Sequence, residues 1–182
     1  MNVTGGQLKG AKLLPPKNRS TRPITQQDKI RLFQVFGESL SGANFVDLFC
    51  GTGSVGIEAL SLGASSCTFV DSSYSSFKVL KKNICNLSLE DRSVLYQKNV
   101  YGCYKRIATG SDFIFAGPPY KAHYYLKSLA MFEDIEASIE SGPLYILQTS
   151  KQCRSGSITK NIENINWIQC RDILFEFYKG RG

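Results

Sequence analysis

The chain has 182 residues, of which 42% are apolar and 20% are charged, so it fits one globular domain with a substantial core. No apolar run approaches the roughly 20 residues of a membrane span, and the polar, glycine-rich residues 1–6 lack the apolar region of a signal peptide. We therefore expect a cytoplasmic protein that has no membrane partner. We also expect the protein to be a monomer.

The chain begins with a predicted β-hairpin over residues 2–14, where glycines punctuate a few apolar positions. After a proline loop, Thr25 is a candidate N-cap for a helix over residues 26–37. We place these elements in a small basic extension, residues 1–38, and the rest of the chain in one main domain, residues 39–182. The apolar face of the helix is expected to comprise Ile30, Phe33, Phe36 and Leu40.

Basic residues are concentrated near the N-terminus. Residues 1–31 carry seven basic groups and one acid, a net charge of +6, while the other 15 bases nearly cancel the other 14 acids. Because these bases are interleaved with glycines and prolines, the pattern favours a surface that contacts the phosphates of a nucleic acid, although a solvated surface without a ligand has the same composition. The candidate residues for these phosphate contacts are Lys9, Lys12, Arg19 and Arg22.

A glycine turn follows the first strand of the main domain. The strand is predicted over residues 44–49, and Gly51 and Gly53 lead from it into a helix over residues 54–62. Glycines let the backbone approach a ligand, and the start of a helix offers free N–H groups, so the turn is a candidate cofactor site. The G-x-G spacing lacks the third glycine of a dinucleotide site. A strand-to-helix turn without a ligand is the alternative.

A carboxylate ends the second predicted strand, residues 66–71, at Asp71. Ligands of doubly wound sheets lie outside the carboxyl ends of the strands, where such a carboxylate accepts hydrogen bonds from both ribose hydroxyls. The alternative is that Asp71 caps the helix that follows, since aspartate favours the N-cap position.

The remaining predicted elements alternate between helix and strand, which is typical of an α/β fold with a parallel sheet and right-handed crossovers. A closing hairpin adds one antiparallel strand to that sheet. The predicted helices cover residues 73–87, 100–108 and a stretch near 122–140. The predicted strands cover residues 93–97, 111–116 and 143–147, followed by the hairpin of residues 163–170 and 173–178.

The cysteines of this chain form no C-x-x-C pair. Several fall in apolar strands or helices, so we expect buried thiols in a reducing compartment and no metal site. The six are Cys50, Cys67, Cys85, Cys103, Cys153 and Cys170.

A second motif, Gly117-Pro118-Pro119-Tyr120, follows the fourth predicted strand. Together with the glycine turn it indicates S-adenosylmethionine chemistry on a nucleobase amine. From about residue 2 to residue 179 the chain resembles the bacterial 16S ribosomal RNA guanine-N2 methyltransferases, the RsmD family. The motifs that carry the resemblance are Gly5–Gly10, Thr21–Thr25, Asp47–Gly53, Gly56–Leu60, Gly63–Ala64 and Pro118–Tyr120.

The resemblance implies a Rossmann-like methyltransferase sheet and S-adenosylmethionine as the methyl donor. It also implies transfer to the exocyclic amine of one guanine in the small ribosomal subunit. The cofactor-binding residues that it implies are Asp47, Phe49, Gly51, Thr52 and Gly53 at the methionine end, Asp71 and Ser72 at the ribose, and Asn99 and Val100 beside the adenine.

Three of the positions in these motifs depart from the family or have a second interpretation. Asn99 stands where relatives have an acidic residue, and its carbonyl oxygen can still face the exocyclic amine of the adenine. Thr21 and Arg22 lie in a motif that closes over cofactor or RNA, or else only joins the hairpin to the helix.

The Pro-Pro-Tyr loop is expected to be catalytic, through Gly117, Pro118, Pro119 and Tyr120. Relatives have Asp or Asn before the two prolines, and its oxygen and a nearby proline carbonyl accept hydrogen bonds from the target amine, which orients the lone pair of the nitrogen. Tyr120 would stack on the extruded base.

Gly117 has no side-chain acceptor, which leaves three interpretations. In the first, backbone carbonyls, Asp112 or a water molecule accept the hydrogen bond from the target amine. In the second, the chain is an altered copy of an active enzyme. In the third, it binds cofactor and RNA without catalysis. Asp112 begins a strand, too far from the loop at roughly 3.3 Å per residue. His123 either contacts a substrate phosphate or is an exposed histidine at a helix start.

The sequence therefore predicts a 16S rRNA guanine-N2 methyltransferase acting on free rRNA or on the assembled small subunit. A catalytically silent module that binds the small subunit is the first alternative. An adenine-N6 methyltransferase, which shares this type of loop, is the second. The chain has no added domain large enough to read the major groove of DNA, which disfavours that second alternative.

Overall fold

A mixed seven-stranded sheet forms the centre of the molecule. The computed structural model describes residues 1–16, 24–139, 142–150, 152 and 159–181. The strands in chain order are β1 (Asn44–Leu48), β2 (Ser66–Val70), β3 (Ser93–Tyr96), β4 (Phe113–Ala116), β5 (Leu144–Ser150), β6 (Ile162–Cys170) and β7 (Ile173–Gly180). Their order across the sheet is β3-β2-β1-β4-β5-β7-β6.

Pairing within the sheet is parallel from β3 through β5, and β7 pairs in antiparallel fashion with both β5 and β6. Thus β7 is the one strand of the described chain that runs against the others. This confirms the predicted α/β sheet with a closing antiparallel hairpin.

In the described ranges, five α-helices accompany the strands: α1 (Gln26–Gln34), α2 (Ser54–Ser61), α3 (Tyr74–Asn86), α4 (Tyr104–Ala108) and α5 (Ala122–Glu136). The helix predicted over residues 100–108 divides into a short 3₁₀ turn, Val100–Gly102, and α4, because Cys103 between them takes a non-helical φ of −142°. None of the helices in the described residues is long and apolar enough to cross a membrane.

The sheet is buried on both faces, as in parallel sheets covered by helices. Phe45 of β1 belongs to one apolar cluster together with side chains of α2 and α3, whereas its neighbour Val46 belongs to a second cluster together with side chains of α4 and α5. This alternation follows from the two-residue period of a strand. The molecule therefore has three layers, with helices above and below the sheet.

The predicted N-terminal hairpin is reduced to one antiparallel bridge, between Asn2 and Lys12. Val3 N–H donates to Ala11 C=O at 3.0 Å, and the intervening residues form a turn rather than two strands. Val3 belongs to the same apolar cluster as Phe45 of β1, so this segment packs on the main sheet. The division of the chain at residue 38 stays a prediction.

Thr25 caps α1 as predicted, in a reciprocal capping box with Asp28. The predicted apolar face was wrong at Ile30, which is 43% exposed, whereas Phe33, Phe36 and Leu40 are buried as expected. The cause is Lys29, which is completely buried and fixes the rotation of the helix. A sequence pattern that counts only apolar residues assigns Lys29 to the solvent side.

Lys29 is buried because its ammonium group meets the equally buried carboxylate of Glu58 in α2, at 2.6 Å from Oε2. Glu58 also accepts hydrogen bonds from the backbone N–H and hydroxyl of Thr4 and from Gly5 N–H, at 2.6 to 3.1 Å. The Lys29 ammonium donates a further bond to Asn2 C=O at 2.9 Å. One carboxylate thus joins the N-terminal segment, α1 and α2.

We predict that Lys29→Met lowers the free energy of unfolding by about 3–5 kcal/mol, because it leaves the Glu58 carboxylate buried without its counter-ion. Urea denaturation measures the change. Lys105→Met is the matched control, since Lys105 lies 2.9 Å from Asp134 but both side chains are largely exposed, at 59% and 41%. The control is expected to cost less than about 1 kcal/mol. Equal losses in the two variants would contradict the prediction.

Candidate active site

The carboxyl ends of three neighbouring strands converge at one edge of the sheet. β1 lies between β2 and β4, and all three run parallel. The loops that leave them are joined by backbone bonds: Cys50 N–H donates to Val70 C=O at 3.0 Å, and Gly117 N–H donates to Leu48 C=O at 3.2 Å. In open α/β sheets this position, where the strand order reverses, is where ligands bind.

The glycine turn reverses direction through left-handed backbone angles. Phe49 has a φ of 60°, Gly51 a φ of 56° and Gly53 a φ of 85°. A side chain on Gly53 would meet Leu80 Cδ1 at 2.4 Å, so this glycine is required for packing, whereas the space beside Gly51 is open. A bulky residue such as Phe49 rarely adopts a positive φ, and such strain concentrates at functional sites.

Asp71 bridges the glycine turn and the start of α3. Its Oδ2 accepts a hydrogen bond from Gly51 N–H at 2.8 Å, and its Oδ1 accepts one from Ser73 N–H at 2.7 Å. The N-cap of α3 is Ser73 rather than Asp71, and Ser72 lies exposed between them. A carboxylate has about four lone-pair sites, so two remain for a ligand beside the open face of Gly51.

Asp47 lies behind the turn, completely buried at the end of β1. Its Oδ2 accepts a hydrogen bond from Gly56 N–H at 2.9 Å and so occupies a free donor in the first turn of α2. Desolvation by burial raises the pKa of Asp47 from 3.8 to about 7, against the opposing effect of the Gly56 bond. The carboxyl group therefore changes charge near neutral pH.

Cys50 follows Asp47 in the glycine turn and is buried. Burial raises the pKa of its thiol well above 9, and the charges of Asp47 and Asp71 raise it further. Cys67 and Cys170 are buried as expected, whereas Cys85 is exposed, and Cys153 lies outside the described residues. The described residues contain no group of side chains arranged to hold a metal ion.

Asn99 and Val100 lie beyond β3, at the next strand end. The side-chain oxygen of Asn99 accepts a hydrogen bond from Tyr101 N–H at 3.0 Å and caps the 3₁₀ turn, and Val100 is buried. The ring of Tyr101 meets that of Phe49 edge to face, with centroids 5.7 Å apart. Sequence reasoning missed Tyr101, although an aromatic residue directly after Asn99-Val100 was a usable signal.

The Pro-Pro-Tyr loop lies at the end of β4. Lys121 N–H donates to Pro119 C=O at 2.8 Å, whereas no described residue donates to the carbonyl of Pro118. The hydroxyl of Tyr120 accepts a hydrogen bond from Nε2 of Gln148 in β5. Gln148 was not among the predicted site residues; its signal was a polar residue near the carboxyl end of a buried strand.

Asp112 and His123 were two further candidates for contacts with the substrate. One lies far from the Pro-Pro-Tyr loop and the other is exposed. Asp112 precedes β4 at the opposite edge of the sheet, where it accepts a hydrogen bond from Asn44 N–H at 2.7 Å. This confirms that Asp112 does not reach the loop. His123 is exposed at the start of α5, with its ring 4.1 Å from that of Tyr124.

Among the predicted RNA-binding residues, Lys9 and Lys12 are exposed on the N-terminal segment, while Arg19 and Arg22, like Thr21, lie outside the described residues. Asn83 of α3 connects this segment to the glycine turn. Its Oδ1 accepts a bond from Leu14 N–H at 2.8 Å, and its Nδ2 donates to Thr52 C=O at 2.9 Å. The basic segment is therefore anchored directly beside the candidate cofactor site.

A family model described as "Conserved hypothetical protein 95" matches residues 1–178. The chain belongs to this family. A Bacillus subtilis (strain 168) protein named "Putative rRNA methyltransferase YlbH" is 34% identical over 146 residues, 78% of this chain and 79% of that protein. "Ribosomal RNA small subunit methyltransferase D" of Buchnera aphidicola (strain APS) is 29% identical over 150 residues, 82% and 78% of the two chains. These matches confirm the resemblance to the RsmD family.

Solved structures show the same fold. "Putative methyltransferase yhhF from Escherichia coli" superposes with a TM-score of 0.82 at 20% identity, covering 99% of this chain and 97% of that one. An RNA methyltransferase from Salinibacter ruber, solved in complex with S-adenosyl-L-homocysteine, has a TM-score of 0.66 at 10% identity over 87% and 93% of the chains. The Rossmann-like methyltransferase fold is thereby confirmed.

We predict that Asp47→Asn changes how stability depends on pH. The raised pKa means that the folded protein favours the neutral carboxyl. The contribution of Asp47 to the free energy of unfolding is therefore full below pH 3.8 and is lost as pH rises through about 7. At 1.36 kcal/mol per pKa unit, the native chain should lose up to about 4 kcal/mol relative to the variant between pH 4 and pH 8.

Urea midpoints of both proteins across this pH range test the prediction, since every other titrating group is common to the two. Asp91→Asn, at an exposed aspartate, is the control and should match the native profile. Parallel profiles for the native chain and Asp47→Asn would show that the carboxyl ionises without cost.

Proposed function

We propose that the chain transfers a methyl group from S-adenosylmethionine to the exocyclic N2 amine of a guanine in 16S rRNA, free or in the assembled small subunit, as a cytoplasmic monomer. The observation that carries the proposal is the convergence of the glycine turn, Asp71 and the Pro-Pro-Tyr loop at adjoining strand ends. Family relatives named for rRNA methylation support the substrate class.

The residues at the strand ends fit the proposed cofactor. The two lone-pair sites left on Asp71 suit the ribose hydroxyls, and the open side of Gly51 leaves room for a ligand against the backbone. Bound there, S-adenosylmethionine supplies an electrophilic methyl group on a sulfonium, whose carbon–sulfur bond breaks as the nitrogen–carbon bond forms. The other proposed contacts are Asp47, Phe49, Thr52 and Gly53 at the methionine end, Ser72 at the ribose, and Asn99 and Val100 at the adenine.

The proposed role of the Pro-Pro-Tyr loop is to position the target base. The ring of Tyr120, held at its hydroxyl by Gln148, offers a stacking face, and the carbonyl of Pro118 is an acceptor that no described residue uses. A hydrogen bond from the amine to that carbonyl would turn the lone pair of the nitrogen toward the methyl group. All of these groups are neutral, so the proton that the product amine sheds passes to water.

One observation favours a second function. Gly117 brings no side-chain acceptor to the loop, and a site that binds cofactor and RNA but positions the amine poorly would be a binding module of the small subunit without catalysis. Binding of S-adenosylmethionine is common to both functions, so only methyl transfer separates them.

The test is transfer of labelled methyl groups to small subunits from cells that lack this modification, compared with free 16S rRNA and with duplex DNA. We expect label in the RNA and, after digestion, in N2-methylguanosine. Label in N6-methyladenosine or in DNA would replace the proposed function. Cofactor and RNA binding without transfer would support the silent module.

Asp71→Ala supplies the cofactor arm of this test. We expect it to weaken S-adenosylmethionine binding by about 1.5–3 kcal/mol, the range for hydrogen bonds to a charged group, and to leave RNA affinity unchanged. Asp91→Ala, at an exposed aspartate outside the site, is the control for calorimetry. Unaltered cofactor affinity in a folded Asp71→Ala protein would exclude Asp71 as a ribose ligand.

The basic N-terminal segment is proposed to contact rRNA phosphates. Replacing Lys9 and Lys12 by alanine should weaken rRNA binding and flatten its dependence on salt, by up to about 0.7–0.9 of a log–log slope unit per lost phosphate contact. Cofactor affinity should remain the same. The matched control replaces Lys160 and Lys179, two exposed lysines of the C-terminal hairpin region. If both double variants keep the native slope, the RNA surface lies elsewhere.

A further inference from the structure

We propose that Oε1 of Gln148 accepts the hydrogen bond from the target amine that no side chain of residue 117 can accept. This inference rests on the proposed function and assigns the residue that makes the Pro-Pro-Tyr loop competent. A base amine has two N–H groups to be oriented, and the loop itself presents the unused carbonyl of Pro118. A second acceptor on a side chain has to come from outside the loop, because Gly117 and the two prolines offer only backbone carbonyls.

The sheet register places Gln148 beside Gly117. Ala116, the last residue of β4, pairs with Leu147 of β5, so the next pair along the two parallel strands is Gly117 and Gln148. Two positions earlier in the same strands, Phe115 pairs with Ile146, and these two side chains belong to the same apolar cluster. Because side chains alternate across a strand, Gln148 leaves the sheet on the face toward which a side chain of residue 117 would point.

Distances on this face agree with the register. A Cβ atom built on Gly117 would lie 3.6 Å from Gln148 Oε1 and 3.2 Å from Phe115 Cε1. The amide oxygen of Gln148 thus reaches the volume that the carboxylate or amide of a short side chain on residue 117 would fill. The glycine leaves this volume open, and a residue from the neighbouring strand enters it.

The hydrogen bonding of Gln148 leaves this oxygen available. Its Nε2 donates to the hydroxyl of Tyr120, which fixes the orientation of the amide, and no described residue donates to Oε1. The side chain is only 7% exposed. The amine of a base stacked on Tyr120 is a donor from which this oxygen can accept a hydrogen bond.

An amide oxygen suits the proposed chemistry because the amine needs orientation more than proton removal. It accepts a hydrogen bond without becoming protonated at neutral pH, and it adds no charge to the site. The same side chain holds the ring of Tyr120. Gln148 therefore links the stacking of the base to the direction of its amine, which neither Gly117 nor the prolines can do.

The experiment compares single-turnover methylation of unmodified small subunits by four proteins: the native chain, Gln148→Ala, Gly117→Asn and the variant that carries both changes. We expect Gln148→Ala to be about 100-fold slower, by analogy with the loss of one oriented hydrogen-bonding group in other active sites. Its affinity for S-adenosylmethionine, measured by calorimetry, should be native. Gln169→Ala, at an exposed glutamine of β6, is the control and should keep the native rate.

The double variant decides the assignment. In the native background, Gly117→Asn should give no gain, since its side chain enters the volume that Oε1 already occupies and crowds Phe115. In the Gln148→Ala background the same change should restore the rate at least tenfold, because the asparagine oxygen takes the vacated place. A role of Gln148 that is only structural would not be rescued by a new acceptor on a different strand.

A native rate in Gln148→Ala, or a slow double variant in which Gly117→Asn brings no recovery, overturns the inference while the proposed function stands. Absence of transfer by the native chain overturns both.

Discussion

The fold around the active site depends on the cost of burying the carboxylate of Glu58. A buried charge needs a counter-ion and several hydrogen bonds, and here these come from Lys29 of α1 and from Thr4 and Gly5 of the N-terminal segment. Those partners bring two sequence-distant segments onto α2. Since α2 begins at the glycine turn, the same interaction fixes the helix that supports this turn.

Elements whose signals are local could be predicted from the sequence. Thr25 caps α1 with Asp28 three residues later, and apolar runs that end at Asp71 or at the Pro-Pro-Tyr loop mark strands within a residue or two of their positions. The predicted burial of Ile30 was wrong because the rotation of α1 is set by Lys29, which pairs with a residue 29 positions away in sequence. The predicted N-terminal hairpin was wrong because part of its backbone forms hydrogen bonds to α2 rather than to a second strand. One example is the bond from Gln7 N–H to Ser61 C=O.

The candidate site divides in the same way. Parallel strands bring their carboxyl ends to one edge, so the approach of Asp71 to Gly51 follows from the strand assignment alone. The position of Gln148 does not follow from the strand assignment. Its proximity to Gly117 depends on the register of β4 against β5, two strands that are separated in sequence by the whole of α5. In the sequence alone, Gly117 looks like the loss of a catalytic acceptor. The acceptor that we propose, Gln148, lies on the neighbouring strand.

The protonated state of Cys50 has a consequence for the enzyme itself. A thiolate is a much stronger nucleophile than the amine of a base, and Cys50 sits in the turn proposed to hold an electrophilic methyl group. Burial keeps its sulfur as a thiol, with a smaller contribution from the charges of Asp47 and Asp71, and a thiol competes poorly for that group. In the proposed enzyme, burial of this one side chain would thereby limit methylation of the protein itself and leave each methyl group available to RNA.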